Sequence, residues 1–518
     1  MRATHFQQGT FMMKPWILAG TTAMALLYAT GAIQAEVTPE DVWANWKTMA
    51  ESYGQTLTTA SEAREGDTLV VKGLTMAMDQ DGAKASGTID ELRFRDLGDG
   101  TVEVTSSDTY NVNMDTPSID TQPAARMAIS IAVPGMTTIA SGNPDAVSYA
   151  LDAPEIKLHL EGADATDPSV DAVMLDMALT GATGAYGVAK ADAGQKVDYQ
   201  LAAESADVSM TVKNSKDGTD VALKLSLADL TGTSSGMFLG AEAMQDVTAA
   251  LKAGFGFNSD FSYGAGSYEM NVVAEGAPTK ASGAIGSGNF AVTMDKDKFA
   301  LSSGSKDVTL LVESAAIPIP DLSGSYGEAS FNLLMPLAKS DSPSDFSLGV
   351  KLVDLKVSDA LWGMIDPGAA LPHDPATLII DTQGTATLTA DLTDTGAEAA
   401  MGGVPPGLLN SFGINALTLR VAGAEVTGQG SFTFDNSDME TFQGMPAPSG
   451  RLELKATGVN GLIDKLVAMG LVPQDQAMQG KMMLGMFAQP GDGEDTLVST
   501  IEFADKKMTI NGMEMPMQ

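Results

Sequence analysis

The sequence predicts a mainly β fold, in which a long antiparallel meander forms a curved, elongated sheet or groove with a few peripheral helices. From residue 56 onward, apolar side chains recur at every second position in many separate runs. This alternation is typical of strands with one buried and one solvent-facing side, which antiparallel sheets allow. Asp-Gly and Asn-Gly pairs, which favour tight turns, separate several runs. They occur at residues 81–82, 99–100, 217–218 and 511–512.

The alternating runs predict the positions of the strands. The clearest runs are Tyr110–Met114, Met127–Val133, Ile156–Leu160, Val173–Leu179, Val208–Val212, Val221–Leu227, Phe346–Leu352, Ala386–Leu392 and Leu417–Val421. No fixed-length repeat is found among them, which disfavours a propeller or a solenoid. We expect residues 36–518 to form a single elongated β-rich domain, with two halves that meet near residues 239–254 as the alternative.

Helices are expected at four places. Thr38-Pro39-Glu40-Asp41 offers an N-cap, a proline at the first helical position and acids in the first turn of the first helix. Residues 239–254 predict a second helix and residues 358–365 a short third one. Residues 460–488 predict a helical hairpin, because Gly470 is suited to end its first arm and Pro473 to start its second.

The chain opens with a segment that is typical of a secretory signal peptide. Arg2 and Lys14 are its only charged residues, and a mostly apolar run lies between Lys14 and a small residue, Ala35. We therefore expect cleavage between Ala35 and Glu36, removal of residues 1–35 and a periplasmic location for the mature protein.

Two features of this segment stay open. Translation starts at Met1, Met12 or Met13, and Met13 would give a more ordinary basic region. The apolar run is also just long enough to span a bilayer as an uncleaved anchor, although its glycine and threonine residues favour cleavage. Because no later segment has about eighteen consecutive apolar residues, we expect no integral membrane span after cleavage.

The chain is strongly acidic and has no cysteine. Its formal net charge is −36, and it becomes −38 once Arg2 and Lys14 are lost with the signal peptide. This charge excludes nucleic acid as a natural partner, because phosphate binding needs basic patches, and it disfavours adsorption to anionic lipid. The lack of cysteine excludes disulfides, thiol catalysis and cysteine-ligated metals, so stability must come from core burial.

One stretch matches a catalytic pattern. Gly232-Thr233-Ser234-Ser235-Gly236 fits the G-x-S-x-G motif of serine hydrolases. The motif needs a buried parallel sheet and a histidine downstream, but the run Val221–Leu227 is half polar and only His373 follows. We therefore prefer a chance match and predict no enzyme, no catalytic residue and no cofactor. A serine esterase at Ser234 is the remote alternative.

No metal site is predicted either. His159 is expected on the polar face of a strand and His373 in a turn, and two separate histidines do not make a zinc site. The acidic stretches at residues 79–82 and 295–297 lack the ligand spacing of a calcium-binding EF-hand. They predict acidic hairpin turns, with weak adventitious calcium binding as the alternative.

Methionine is concentrated in the second arm of the helical hairpin. Met478, Met482 and Met486 recur at a spacing of four, which places them on one helix face, and Met483 and Phe487 widen that face. Three interpretations are open: a face packed on the sheet, a flexible lip over an apolar ligand, and a thioether site for Cu(I). Packing is preferred, and the five residues are kept as a candidate ligand lip.

Three stretches resemble a known family: residues 37–55, residues 361–381 and parts of residues 428–511. They are similar to an alphaproteobacterial family of exported proteins known as domain of unknown function 2125, and the resemblance extends over the mature chain. It implies no activity. It implies a helix end and a rigid turn at Trp362, Asp366, Pro367, Asp374 and Pro375. A looser, fold-level likeness to the AsmA-like and YdgA-like envelope proteins implies long sheets that form an open groove for lipids.

The sequence therefore predicts a non-enzymatic protein of the cell envelope. In the leading hypothesis, inward Met, Leu and Ala residues line a β-groove that binds or carries lipid or another hydrophobic ligand. In the second hypothesis, the protein is a structural or interaction scaffold with a closed, packed core. A groove leaves a long apolar surface uncovered, whereas a closed core leaves none.

Overall fold

The fold is one continuous antiparallel sheet with a few helices against it. It is given by a computed structural model that describes residues 36–52, 54–80, 83–117, 125–165, 172–192, 194–214, 218–240, 243, 246–274, 276–314, 322–394 and 406–515. The helices in this part of the chain are α1 (Pro39–Ser52), α2 (Val247–Lys252), α3 (Asp359–Ile365), α4 (Val459–Ala468) and α5 (Gln474–Phe487).

The sheet has 27 strands in the described residues. The first twelve are β1 (Thr56–Thr58), β2 (Ser61–Glu65), β3 (Thr68–Gln80), β4 (Ala83–Asp96), β5 (Val102–Ser106), β6 (Thr109–Thr116), β7 (Ala125–Ala132), β8 (Thr137–Asn143), β9 (Ala146–Ala165), β10 (Ala172–Ala191), β11 (Gly194–Asn214) and β12 (Thr219–Phe238). The next eight are β13 (Gly256–Tyr263), β14 (Gly266–Ala274), β15 (Ala277–Ile285), β16 (Ser287–Met294), β17 (Lys298–Ser314), β18 (Leu322–Pro336), β19 (Ser344–Val357) and β20 (Ala376–Leu388). The last seven are β21 (Gly407–Val421), β22 (Ala424–Asp435), β23 (Ala447–Thr457), β24 (Gln489–Pro490), β25 (Thr496–Ala504), β26 (Lys507–Ile510) and β27 (Met513–Glu514).

The strands follow one another as a meander in which every pairing is antiparallel. From β9 to β12 and from β17 to β23, consecutive strands are also neighbours in the sheet. Elsewhere two short strands share the length of one long strand, as β13 and β14 do along β12. The predicted mainly β antiparallel fold is confirmed, and the sheet runs without a break past the segment around residues 239–254.

A row of backbone irregularities crosses the middle of the long strands, and we call it the bulge line. Its members lie side by side in two groups of paired strands, Pro154, Gly181, Glu204 and Asp229 on β9–β12 and Asp307, Gly327 and Asp354 on β17–β19, and Gly73 is a similar irregularity on β3. Five of them, two glycines and three aspartates, adopt positive φ between 51° and 58°: Gly73, Gly181, Asp229, Asp307 and Asp354. Short strands break at the same level, where the Gly264 N–H donates to the carbonyl of Ala228. A β-bulge bends its strand and increases its twist.

At the bulge line the apolar alternation shifts by one residue in β9–β12 and β17–β19. Apolar residues separated by three positions, rather than two, then share one face. Pairs that flank the line and pack in a common cluster are Ala153 and Ile156, Leu179 and Ala182, Ala203 and Ala206, and Leu227 and Leu230. Without this shift, a strand of about twenty residues would turn the apolar residues of its second half to the opposite side of the sheet. The shift therefore keeps one face apolar along the whole strand.

Along the bulge line the side chains of the apolar face are small and buried, such as Ala153, Ala182 and Ala203. On the opposite side the bulge line exposes Glu204 and Asp229. Side chains crowd on the inside of a bend and spread apart on its outside, so this distribution predicts that the sheet bends towards its apolar face, and we call that face the trough. We call the apolar face inward and the other face outward.

Helices cover the two ends of the trough. Val42 and Trp43 of α1 pack in the largest buried cluster with inward residues of the first strands, including Phe94 and Tyr149. The short α2 packs Leu251 against inward aromatic residues of β12 and β13. At the other end, the inward hydroxyl of Ser499 donates to the carbonyl of Phe487 at 2.6 Å, which places the end of α5 at the inward face. In the described part of the chain, no helix combines the length and apolar character that crossing a bilayer requires.

The helix predictions are confirmed with one correction in length. In α1, the Thr38 hydroxyl donates to the Asp41 carboxylate at 2.6 Å, and the Asp41 N–H donates back to that hydroxyl, as expected for the predicted N-cap. The helical hairpin is present as α4 and α5, and Gly470 has a φ of +73° at its turn. The helix predicted over residues 239–254 is limited to the six residues of α2, while residues 241, 242, 244 and 245 lie outside the described part.

Two strand and turn predictions need comment. The run Ala386–Leu392 was expected to be a strand, but β20 ends at Leu388 and the chain then turns. The turns at residues 99–100 and 511–512 are present, and Asn511 and Gly512 both have positive φ. The turns predicted at residues 81–82 and at residue 217 lie outside the described part.

Replacing an aspartate of the bulge line should destabilise the sheet. Asp307→Val should lower the free energy of unfolding by about 1–3 kcal/mol, because a β-branched side chain is strained at positive φ. Asp307→Gly should have a much smaller effect, since glycine adopts this conformation without steric cost. Urea denaturation followed by circular dichroism measures both changes. The control is Asp207→Val at an exposed, extended position of β11, and equal losses for the two valine variants would contradict the prediction.

Candidate functional site

The inward face of the trough carries almost no charge. Between β9 and β25, the described inward positions hold no Asp, Glu, Lys or Arg apart from Lys190 near the end of β10. In β19, for example, the inward residues are Phe346, Leu348, Val350, Leu352, Leu355 and Val357. A charge in contact with hydrocarbon is unfavourable unless it is paired, so this face is suited to an uncharged, apolar ligand.

Charged residues are placed on the outward face, where they pair across strands. Lys351 lies 3.8 Å from Glu328, and the imidazole of His159 lies 2.6 Å from the carboxylate of Asp176. These pairs are substantially exposed, and exposed ion pairs contribute little to stability. The expected surface position of His159 is confirmed, and the charge on this face keeps the outside of the sheet hydrated.

Hydroxyl groups on the inward face bond to their neighbours in the sheet. The Ser305 and Tyr326 hydroxyls are 3.0 Å apart, and the Thr382 hydroxyl donates to the carbonyl of Leu348 at 3.0 Å. The Ser234 hydroxyl is 2.8 Å from that of Ser259 on β13. These bonds reduce the polarity that the inward hydroxyls offer to a ligand.

The G-x-S-x-G stretch does not form a nucleophile elbow. Ser234 lies inside the regular antiparallel pairing of β12 with β11 and β13, not at a sharp turn between a strand and a helix. The downstream His373 is at a different place, stacked on Trp362 with ring centroids 4.6 Å apart. The residues of the motif are therefore strand residues.

The middle of the trough is open. Leu151, next to the bulge line in β9, is 1% exposed, whereas Phe290 in β16 and Leu419 in β21 are each 46% exposed although they face inward. Other inward apolar residues that are exposed are Met177, Met270, Leu310, Met335, Leu348, Val357 and Val421. From β14 to β22 the open part crosses seven strand spacings, or about 34 Å at roughly 4.8 Å per spacing. A closed, packed core would have buried these residues.

Two depressions in the surface are distinct from this open floor. One of about 610 Å³ crosses β18–β23, and most of its lining side chains are outward and polar, such as Ser347, Thr385 and Thr433. The other, of about 490 Å³, lies between α1 and the ends of β10–β12 and is lined by Asn45, Lys190 and Phe238, among others. The second depression adjoins the covered end of the trough, whereas the first belongs to its outer side.

The methionines of α5 point to solvent. Met478, Met482, Met483 and Met486 are 49–65% exposed, and Phe487 is 41% exposed. The packed side of the helix is formed by small residues, with Ala477 buried and Gly480 half-buried. The preferred sequence interpretation, a methionine face packed on the sheet, is therefore wrong. The reason is that α5 packs on α4 through the side that carries Ala477, while Lys481, which lies beside the methionines, places its ammonium 2.6 Å from the Asp464 carboxylate of α4.

The turn after α3 is organised by a buried carboxylate. Asp366 is 2% exposed, and its carboxylate accepts the N–H groups of Leu371 at 2.6 Å and Ala370 at 2.9 Å. These two hydrogen bonds, assisted by His373 3.8 Å away, hold the pKa of the Asp366 carboxyl below its ordinary value. The family resemblance implied a helix end and a rigid turn here, and Asp366 stabilises that turn through these two hydrogen bonds.

The described residues contain no group of three or more His, Asp or Glu side chains that could hold a metal ion. At the predicted acidic turn of residues 295–297, the Asp295 carboxylate accepts the N–H groups of Asp297 and Lys298. These two hydrogen bonds explain why an aspartate occupies position 295. In the other stretch, Asp79 lies 3.8 Å from Lys84, while residues 81–82 are outside the described part. The predicted cleavage residue Ala35 is outside it too, and Glu36 is exposed at its start.

Residues 273–515 match a family described as an uncharacterized protein conserved in bacteria (DUF2125). The match covers just under half of the chain. The resemblance inferred from the sequence is confirmed here, and the segment includes β15 to β27, the Asp366 turn and the α4–α5 hairpin. Residues 37–55, which resembled the same family, lie outside the match.

The other comparisons add no functional information. No curated protein matches the chain. Among solved structures, the chain is similar to BauA, the ferric preacinetobactin receptor from Acinetobacter baumannii, at 9% sequence identity. The alignment covers 86% of this chain and 83% of the receptor, with a TM-score of 0.19. A score this low carries no argument about the fold or the function.

The Asp366 turn should make stability depend on pH. Because the folded protein lowers the pKa of this carboxyl, its contribution to stability is complete above the unfolded value of about 3.9 and is lost as the pH falls through the lower folded value. Asp366→Asn should therefore lower the thermal unfolding midpoint at pH 7, and the difference from the unaltered protein should shrink near pH 2.

Thermal melts at both pH values, followed by circular dichroism, measure this effect. Asp374→Asn is the matched control, because Asp374 is an exposed aspartate in the same turn. An unchanged midpoint for Asp366→Asn at pH 7 would refute the assigned role.

Proposed function

We propose that this is an exported protein of the bacterial cell envelope that binds hydrocarbon chains, such as those of lipids, in the open apolar trough, without catalysing a reaction. The observation that carries the proposal is the uncharged inward face, which stays exposed between its helix-covered ends. Contiguous apolar surfaces of this extent on a folded protein are typical of binding sites.

The dimensions of the trough support an elongated ligand. Its open part is about 34 Å long at the usual strand spacing, which exceeds the roughly 15 Å that one lipid leaflet contributes to a bilayer's hydrocarbon core. The floor offers mainly aliphatic and aromatic surface, and its hydroxyls bond to neighbouring strands, as Ser305 does with Tyr326. Such a floor selects for apolar character and length rather than for a particular head group.

The proposed location rests on the chain's first residues. The segment typical of a signal peptide, with Ala35 before the expected cut, supports export to the periplasm. The absence of cysteine is compatible with an oxidising compartment because no thiol is at risk there. A scaffold role depended on a closed core, and the exposed inward residues such as Phe290 argue against it.

Adjacent leucines on β17 offer a matched test of the trough. Leu310 faces inward opposite Gly283 and Gly324, whereas Leu311 faces outward opposite Ser282 and Ser323. The two are 41% and 36% exposed. Leu310→Asp should weaken binding of a fluorescent phosphatidylcholine delivered from micelles at least tenfold, or about 1.4 kcal/mol, because it places a charge against hydrocarbon. Leu311→Asp should bind as the unaltered protein does.

The same variants are compared after purification from the periplasm, by native mass spectrometry and solvent extraction. The unaltered protein and Leu311→Asp should carry near-stoichiometric lipid, and Leu310→Asp should carry little. An apoprotein that also fails to bind the added lipid would overturn the proposed function. Equal binding by the two aspartate variants would show that the trough is not the site.

A further inference from the structure

The depression of about 490 Å³ between α1 and the ends of β10–β12, which we call the α1 pocket, is a polar site at the margin of the apolar floor. It contains Lys190, which is the only charged residue at the described inward positions between β9 and β25. Lys190 is directly opposite Gln195 on β11, and Gln195 is opposite Phe238 on β12. These three side chains therefore form a row across one face of the sheet.

Lys190 and Asp145 are neighbours whose side chains form no ion pair. The Lys190 N–H donates to the Asp145 carbonyl at 3.0 Å, and both residues line the α1 pocket with exposed side chains. Within the described part of the chain, no carboxylate lies within ion-pair distance of the Lys190 ammonium. A ligand in the pocket therefore meets an ammonium and a nearby carboxylate that are not bonded to each other.

Asn45 of α1 adds an oriented hydrogen-bond donor. Its side-chain carbonyl accepts the Tyr149 hydroxyl at 2.6 Å, which leaves its NH₂ group to donate elsewhere. Burial raises the pKa of Tyr149, so this hydroxyl keeps its proton at neutral pH and fixes the orientation of the Asn45 amide. Together with the amide of Gln195, the pocket offers two neutral donors and one ammonium, a set that suits phosphate oxygens.

The charges of the lining indicate which class of head group fits. Besides Lys190, two carboxylates line the pocket, those of Asp145 and Asp41. The Asp41 carboxylate accepts the N–H of Thr38 at 3.0 Å and its hydroxyl at 2.6 Å within the helix cap. A ligand with negative charge alone would meet two carboxylates and only one cation, which is unfavourable. A ligand that carries both a phosphate and an ammonium complements both signs of charge.

We infer that the α1 pocket binds the head group of a zwitterionic phospholipid, of the phosphoethanolamine type, whose acyl chains lie in the trough. This inference rests on the proposed function and deepens it, because it names the polar end of the ligand. The Lys190 ammonium and the amides of Asn45 and Gln195 bind the phosphate, and the Asp145 carboxylate binds the ammonium. The volume of about 490 Å³ is within the roughly 300–1,000 Å³ of small-ligand sites.

The pocket leads onto the apolar floor along β12. After Phe238, the inward positions of β12 hold only glycine or serine as far as Gly232, so the side chains above this strand are small. Gly232 is level with the exposed Phe290, since both pair with Phe261 of β13. Six residues of strand cover about 20 Å, which is of the same order as the roughly 15 Å of hydrocarbon in one leaflet. Acyl chains whose head group is in the pocket can therefore follow β12 to the open floor.

The test measures head-group selectivity with lipids of identical chains. Unlabelled dioleoyl-phosphatidylethanolamine, dioleoyl-phosphatidylglycerol and dioleoylglycerol, each in micelles, displace a chain-labelled fluorescent phosphatidylcholine from the purified mature protein. The ratio of Kd values for two lipids is compared among variants, because this comparison cancels differences in how the lipids partition into micelles. The unaltered protein should bind phosphatidylethanolamine about tenfold more tightly than either of the other two lipids.

Three variants divide the head-group contacts. Lys190→Met removes the cation and should reduce the preference for phosphatidylethanolamine over dioleoylglycerol to about twofold or less. The matched control is Lys196→Met, which should keep the preference, because Lys196 is opposite Ala189 on the outward face and pairs with Asp198 at 2.8 Å. Asp145→Asn should remove the preference for phosphatidylethanolamine over phosphatidylglycerol, because the lost carboxylate is the group that binds the ammonium.

The outcomes separate this inference from the proposed function. An unchanged preference in Lys190→Met, or tighter binding of phosphatidylglycerol than of phosphatidylethanolamine by the unaltered protein, would refute the head-group site. Equal binding of phosphatidylethanolamine and dioleoylglycerol by the unaltered protein would also refute it, but would leave the proposed function intact because the trough still binds the chains. Binding of none of the three lipids would contradict the proposed function and the head-group site together.

Discussion

The bulge line is the constraint on which the rest of the structure depends. A strand of about twenty residues has one apolar face only if its alternation is regular, yet a long sheet can bend across its strands only if the backbone pairing is locally interrupted. The chain meets both requirements at the same level of successive strands. Positive-φ residues such as Gly181 and Asp307 make the bend, and the three-residue step between apolar positions, as from Leu227 to Leu230, keeps the inward face apolar across it.

The bend explains where side chains of each kind lie. Small residues such as Ala182 and Ala203 occupy its crowded inner side, and acids such as Glu204 and Asp229 occupy its open outer side. Charged and apolar side chains are therefore on different faces: the ion pairs lie on the outward face, and the inward face carries no ion pair between the strand ends. With one sheet layer and helices only at its ends, most inward residues are covered only by their neighbours. The aromatic cluster of Trp43 and Phe94 beneath α1 is the exception and belongs to the largest buried cluster in the described residues.

Most of the candidate ligand-binding surface lies in the segment that matches the DUF2125 family. Residues 273–515 contain most of the open floor, the Asp366 turn and the α4–α5 hairpin. Asp366 has a structural task there, since it caps a turn through two backbone N–H groups. The residues that could act on a ligand are instead ordinary aliphatic and aromatic side chains of the strands, such as Leu310 and Phe290. Their arrangement on one face, rather than any reactive group, is what the trough offers.

The sequence by itself determined most of the strands, the start of α1, the limits of α5 and the turn at Asn511-Gly512, because alternation, capping residues and turn dipeptides act within a few neighbouring positions. It also indicated which faces are apolar. Only the tertiary structure decided that these faces form an open trough, and that the methionines of α5 point to solvent. Periodicity shows that Met478, Met482 and Met486 share a side of the helix, but the choice of packed side was made by Ala477 and the Lys481–Asp464 pair against α4. Burial depends on contacts between distant segments, which no local pattern records.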